Sequence, residues 1–215
     1  MKKRGKKTAV QTKKYIIVLA TTNPGKAREI RASLGSRPLR ILTLADLGIR
    51  TSYPEKGTTF GQNARGKSLF YSKKSEFLTL AEDSGLAVEG LGGAPGIYSA
   101  RFSSPRATEE KNIQKVLRLM KNTTRRERRA QFICCLVLSQ RGRVIKKVTG
   151  RVRGTIAFEK KGKQGFGYDP IFYYHPFRKT FGELMPPEKN RVSHRGRAVA
   201  KMKRFLSAYL KNRPV

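Results

Sequence analysis

Acidic residues are scarce in this 215-residue chain, where 14 Asp and Glu stand against 48 Lys and Arg for a formal net charge of +34. Long apolar runs are lacking too. The longest, Tyr15–Ala20 and Phe132–Leu138, fall well short of the ~18–20 residues of a membrane-spanning helix, which excludes a membrane span. Cysteine is limited to the adjacent Cys134 and Cys135. Neighbouring side chains of a strand point to opposite faces and are not easily bridged, so both are expected as reduced core thiols in a cytoplasmic protein. No secretory signal is evident, because the basic start Met1–Lys14 leads only into Tyr15–Ala20, short of the usual ~7–15-residue apolar region. Residues 1–14 read as a basic, disordered arm and 15–215 as one domain. With 38% hydrophobic residues, the chain has enough apolar surface for a real core. Repeats and low-complexity linkers are absent.

So basic a chain first suggests a partner rich in phosphate, and nonspecific association with nucleic acid follows from charge alone. A nucleic-acid-binding protein is therefore one functional reading. Yet the cations are spread along the chain, over Lys121–Arg129, Arg141–Arg153, Lys160–Lys163 and Lys189–Arg204 as well as the N-terminal arm. In Arg141–Arg153 they alternate, with Val144, Val148 and Val152 on one side and Arg143, Lys147, Arg151 and Arg153 on the other, the pattern of a solvated outer face. The rare acids are more informative. Asp occurs only at Asp46, Asp83 and Asp169, the last two within Leu80-Ala-Glu-Asp-Ser-Gly-Leu86 and Gly165-Phe-Gly-Tyr-Asp-Pro170. Glu82-Asp83, following an apolar strand, is a candidate metal or general-base pair, with a strand-end turn capped by Asp as the alternative.

Hydrophobic periodicity gives interleaved helices and strands, hence an α/β fold with a mixed sheet. Tyr15–Ala20 reads as a buried strand, and Thr21–Lys26 as a loop opening a helix with Asn23 at its N-cap and Pro24 at its first position. Free N–H groups at that helix start, with Lys26 beside them, suit a phosphate. Strands are expected at Arg40–Leu44 and Leu78–Ala81, and helices at Thr58–Ser75, Ile97–Phe102 and Thr108–Met120. Ala130–Ser139 and Val144–Thr155 form a hairpin across Gln140-Arg-Gly142. Ser193–Leu210 is an amphipathic helix with Val199, Met202, Phe205, Leu206 and Tyr209 inward. One motif points elsewhere: Gly61-Gln-Asn-Ala-Arg-Gly-Lys-Ser68 satisfies the P-loop pattern G-x-x-x-x-G-K-[ST], which would make the protein a P-loop NTPase or kinase. The stretch before it is polar and contains Pro54, without the buried strand such a loop requires.

A series of segments in order resembles the inosine/xanthosine triphosphate pyrophosphatases, which remove non-standard purine nucleoside triphosphates. They are Leu19-Ala-Thr-Thr-Asn-Pro-Gly-Lys26, Glu55–Ala64 with Lys67, Ala81–Leu86, Leu91–Phe102, Gly165–Pro170, Thr180–Glu183 and Ser193–Gly196. The resemblance implies a two-lobed α/β fold, a mixed twisted sheet with helices packed around it and a nucleotide cleft between the lobes. It implies Mg²⁺-dependent hydrolysis of ITP, dITP or XTP to the monophosphate and pyrophosphate, by a homodimer. Thr21, Thr22, Asn23, Pro24, Gly25 and Lys26 would bind the triphosphate, with Lys67 a second phosphate lysine. Glu55 and Asp83 would hold the metal, and Asp83 would also be the base. Ser84, Phe166, Gly167, Tyr168, Asp169, Lys189, His194 and Arg195 would contact the nucleotide, those last positions around the purine. Two residues depart from the family's usual pattern: Gln62 replaces an acid and Glu82 an Asp.

Overall fold

The computed structural model describes residues 15–35 and 39–211. The basic arm and the last four residues of the expected domain lie outside the described residues. Among the described residues seven strands form one mixed sheet in the order β2-β1-β3-β4-β5-β6-β7. β1 (Tyr15–Ala20) runs parallel to β2 (Leu39–Thr43) and to the start of β3 (Leu78–Val88). β4 (Arg129–Gln140) and β5 (Arg143–Ile156) complete an antiparallel half with β3. Among the described residues five α-helices pack around the sheet: α1 (Pro24–Leu34), α2 (Phe60–Ser72), α3 (Glu109–Leu119), α4 (Pro186–Val192) and α5 (His194–Lys211). None of the described helices is long and apolar enough to cross a membrane.

β3 creates the two halves. Ala20 of β1 ends opposite Ala81, but β3 continues to Val88 along β4 alone. One core gathers α5 (Val199, Met202, Leu206) against Leu19, Leu80 and Leu136; another gathers Leu86, Phe132, Phe172 and Phe181 at the far end. β6 (Phe172–Tyr174) and β7 (Lys179–Thr180) are too short to show a period, and packing rather than pattern holds them: the Phe172 and Phe181 rings lie 4.9 Å apart beside Phe132.

Several local expectations are corrected. The strand expected to end at Ala81 runs on through Glu82 and Asp83, because Ser84–Val88 keep an antiparallel partner in Ile133, Phe132 and their neighbours. Val144 is exposed rather than inward, since an irregularity at Leu138/Ser139 shifts the β4–β5 register and puts Ile145 and Val148 against the core. The hairpin turns on Arg141 and Gly142, both at positive φ (47° and 74°), as a two-residue type I′ turn requires. Cys134 and Cys135 are free and buried, paired across the sheet with Ser84 and Asp83, so they face opposite sides.

The P-loop reading fails on geometry. Gly61–Ser68 lies inside α2, whose N-cap is Thr59 and which follows a coil rather than a strand. The Gln62 N–H is capped by Thr59 Oγ1 and the Asn63 N–H bonds the Thr59 carbonyl, so the segment is helix rather than a phosphate-cradling loop. Gln62 serves that helix start, accepting from the Thr58 N–H and hydroxyl at 2.8 Å. Gly66 has a packing reason: a Cβ there would sit 1.9 Å from the Tyr53 hydroxyl.

Candidate active site

Where β1 stops and β3 continues, a cavity of about 410 Å³ opens. This is the crevice at the carboxyl ends of parallel strands, the usual ligand position in such sheets. The Thr21–Pro24 loop and Lys26 form one wall. The loop is held by its own side chains: Asn23 Oδ1 accepts from the Lys26 N–H at 2.9 Å, and Thr21 Oγ1 from the Asn23 N–H at 3.2 Å. The start of α1 faces the cavity with the positive end of its dipole. Pro24 has no N–H and those of Lys26 and Ala27 bond Asn23, so the dipole and the Lys26 ammonium supply the positive charge there. Glu55 and Lys67, paired with each other, line it from the coil and from α2. Lys67 Nζ also donates to the Glu82 carbonyl at 3.2 Å, one residue past the last partner of β1.

Glu82 and Asp83 are not a pair on one face. Strand alternation sends them to opposite sides of the sheet, and their environments diverge accordingly. Glu82 is fully buried, with Lys26 Nζ 2.9 Å from one oxygen and Arg195 donating to the other at 3.0 and 3.2 Å. Burial alone would raise its pKa, but Lys26 and Arg195 outweigh burial and hold it well below the usual carboxylate range. Among the described residues Asp83 accepts only from the Ser84 N–H, at 3.0 Å, and its second oxygen is buried without a partner. Burial pushes its pKa up to about 6; Glu55 and Glu82 add to the rise, and Lys26 and Lys67 oppose it.

Beside the cavity lies a network of buried charges. Lys189 Nζ bonds Glu29 at 2.6 Å and also contacts Asp169; Arg195 contacts the other oxygen of Glu29 and donates to Ser84 Oγ at 2.9 Å. Asp169 in turn accepts from the Phe166 N–H at 2.8 Å. The Phe166 ring lies 4.9 Å from Lys189 Nζ and 5.3 Å from the Arg195 guanidinium. Gly25 is the contact between this network and the loop, since a Cβ there would meet the Phe166 ring at 2.8 Å.

The sequence-predicted residues thus fall into groups. Thr21, Thr22, Asn23, Pro24, Lys26, Glu55, Lys67, Asp83 and Ser84 share the cavity. Phe166, Asp169, Lys189 and Arg195 form the adjoining network, with Gly167 in its loop at φ 60°. Two predicted contacts face the core. Tyr168 is buried and donates to the Ser99 carbonyl at 2.8 Å. His194 is buried and stacked on Phe132 at 4.6 Å, and burial with Arg195 and Lys189 nearby keeps its pKa well below the ordinary value.

Glu29 was missed by sequence reasoning, although it ties α1 to both buried cations. Its position one helical turn after Lys26, in a chain so poor in acids, was the available signal. Tyr53, Tyr71 and Arg101 also line the cavity; Arg101 lies in the Leu91–Phe102 segment but was given no role there, and no motif announces the two tyrosines.

The donors fit a hard cation. Mg²⁺ commonly takes one or two carboxylates and completes its shell with substrate phosphates and water. The unpartnered Asp83 oxygen and the Glu55 carboxylate offer two ligands in one cavity. No group of three or more His, Cys, Asp or Glu gathers among the described residues, so phosphate oxygens would have to share the coordination.

Comparison with known proteins gives a consistent result. A model of the Ham1 family matches residues 17–205. A dITP/XTP pyrophosphatase of Dictyoglomus thermophilum is 46% identical over 200 residues, covering 92% of this chain and 97% of that protein. One from Bacillus subtilis is 41% identical over 191 residues, covering 89% and 96%. Among solved structures, a HAM1 protein from Coxiella burnetii superposes with a TM-score of 0.82 at 35% identity, covering 90% of this chain and 99% of that one.

Proposed function

The chain belongs to the Ham1 family, and from that premise we propose that it hydrolyses non-standard purine nucleoside triphosphates (ITP, dITP and XTP) to the monophosphate and pyrophosphate. The observation that carries this reading is the unpartnered buried oxygen of Asp83, in the same cavity as a helix N-terminus and two lysines.

The residues divide the work. The positive dipole end of α1, with Lys26 and Lys67, receives the triphosphate charge. Asp83 accepts the proton of the attacking water; in the metal-free protein burial raises its pKa to about 6, so it is ionised at neutral pH. Lys67 must exchange Glu55 for phosphate as substrate enters, which frees the Glu55 carboxylate. Glu55 and Asp83 would hold Mg²⁺, which would supply charge neutralisation at the phosphates. Lys189 and Arg195 are donors only, as is fitting for a 6-oxo purine, whereas adenine presents an amino donor at that position. Hydrolysis as a homodimer in the cytoplasm belongs to the same proposal.

A substrate panel tests it. Pyrophosphate release from ITP and XTP should exceed that from ATP by at least about 100-fold, the range a site built on specific hydrogen bonds can reach. Equal rates for ITP and ATP would overturn the assigned specificity.

Glu29→Gln separates positioning from chemistry. It preserves shape but removes the carboxylate shared by Lys189 and Arg195, so the KM for ITP should rise about 10-fold and the ITP/ATP ratio fall, with kcat changed less. A drop confined to kcat would place Glu29 with the phosphate chemistry instead.

A further inference from the structure

β5 meets β6 only at Thr155 and Ile156, which leaves residues 143–154 as an edge of the sheet. Such edges are commonly guarded by charge against pairing with another chain. Here the charge extends beyond the edge. On one face Arg151 and Arg153, opposite Ile133 and Gln131, join Arg129 in an uncovered concavity of about 630 Å³. Around the edge, Arg197, Lys201 and Arg204 of α5 line a second concavity of about 610 Å³ that shares Arg151.

The helix cations are anchored without being neutralised. Arg197 donates to the Val192 and Arg151 carbonyls at 2.9 and 3.0 Å, and Lys201 to the Thr149 carbonyl at 2.8 Å. Glu89, 3.7 Å from Arg129, is the one acid lining the strip. Neither concavity shares a lining residue with the triphosphate cavity.

We infer that this strip is a docking surface for the phosphate backbone of duplex nucleic acid. Charge complementarity selects a polyanion. No aromatic side chain lines either concavity, so the stacking platforms that hold unpaired bases are missing. A second copy of this chain would bring like charge to like.

Fluorescence anisotropy with a labelled duplex DNA of about 20 base pairs, titrated with the full chain between 50 and 200 mM salt, tests the surface. Two variants that each remove three charges are compared: R151Q/R153Q/K201Q in the strip, and R40Q/K73Q/K163Q among exposed residues elsewhere. The strip variant should lose at least about 10-fold in affinity, and its log-log salt slope should fall by about 2 to 3. The control should lose less than about 3-fold, and both should keep full ITP turnover. Equal losses in the two variants would show that net charge alone binds DNA. Failure of the unmodified chain to bind at 50 mM salt, or preference for single strands or polyglutamate over duplex, would also overturn the inference.

Discussion

Asp83→Asn should abolish turnover and at the same time make the protein more stable at pH 8. The amide keeps the shape but can neither take a proton nor offer a charged oxygen to a cation, so kcat/KM should fall by at least about 1,000-fold. The stability gain follows from the raised pKa. In the unfolded chain Asp83 releases its proton near its ordinary 3.8, whereas burial delays release in the folded protein to about 6. The folded state therefore binds the extra proton between these values, and stability falls as pH rises through that window. Above it the full cost, roughly 3 kcal/mol at most, is in place. Denaturant unfolding of the metal-free proteins should show the variant ahead at pH 8 and the two nearly equal near pH 4. An inactive variant that is less stable at pH 8 would make Asp83 a structural residue.

Glu82→Gln should have the opposite signature. Lys26 and Arg195 would remain charged around a buried amide, and removing one partner of a buried ion network typically costs about 3–5 kcal/mol. Urea unfolding at pH 7 should show that loss, together with loss of activity as Lys26 shifts. Glu82→Asp retains the charge and should recover most of the stability. The depressed pKa of Glu82 gives the pH dependence: its stabilisation is complete above its ordinary 4.5 and is lost as pH falls below it. The Gln variant should therefore unfold with a shallower acid dependence. A Gln variant as stable as the parent would mean that the network is solvated in solution.

Much of this arrangement was legible in the sequence, and the exceptions share physical causes. The strand–loop–helix at Tyr15–Leu34 was readable because Asn23 and Pro24 act locally, as cap and first turn. α3 and α5 were readable from periodic apolar residues. The opposed roles of Glu82 and Asp83 were hidden because they depend on how far β3 extends, and that is set by a partner strand about 50 residues later in the chain. Glu29 was hidden for a similar reason: its partners Lys189 and Arg195 are 160 and 166 residues away. The inward turn of Tyr168 and His194 comes from tertiary packing against Ser99 and Phe132, which no local pattern encodes. The accidental P-loop match shows the converse. Its letters were right, but Gly66 is required by the approach of Tyr53 rather than by a phosphate.

The charge of +34, which first suggests nucleic acid, thus separates into two parts. Lys26, Lys67, Lys189 and Arg195 are matched by Glu29, Glu55, Glu82 and Asp169 around the cavity, while the unmatched remainder includes the strip along β5 and α5. The chemistry rests on the first part. ³¹P NMR of ITP turnover by the full chain with Mg²⁺ tests it most directly. Inosine monophosphate and pyrophosphate should appear together from the first time point, and neither should form with Asp83→Asn. Inosine diphosphate and orthophosphate as the products, or undiminished turnover by Asp83→Asn, would contradict cleavage of the α–β bond at this cavity.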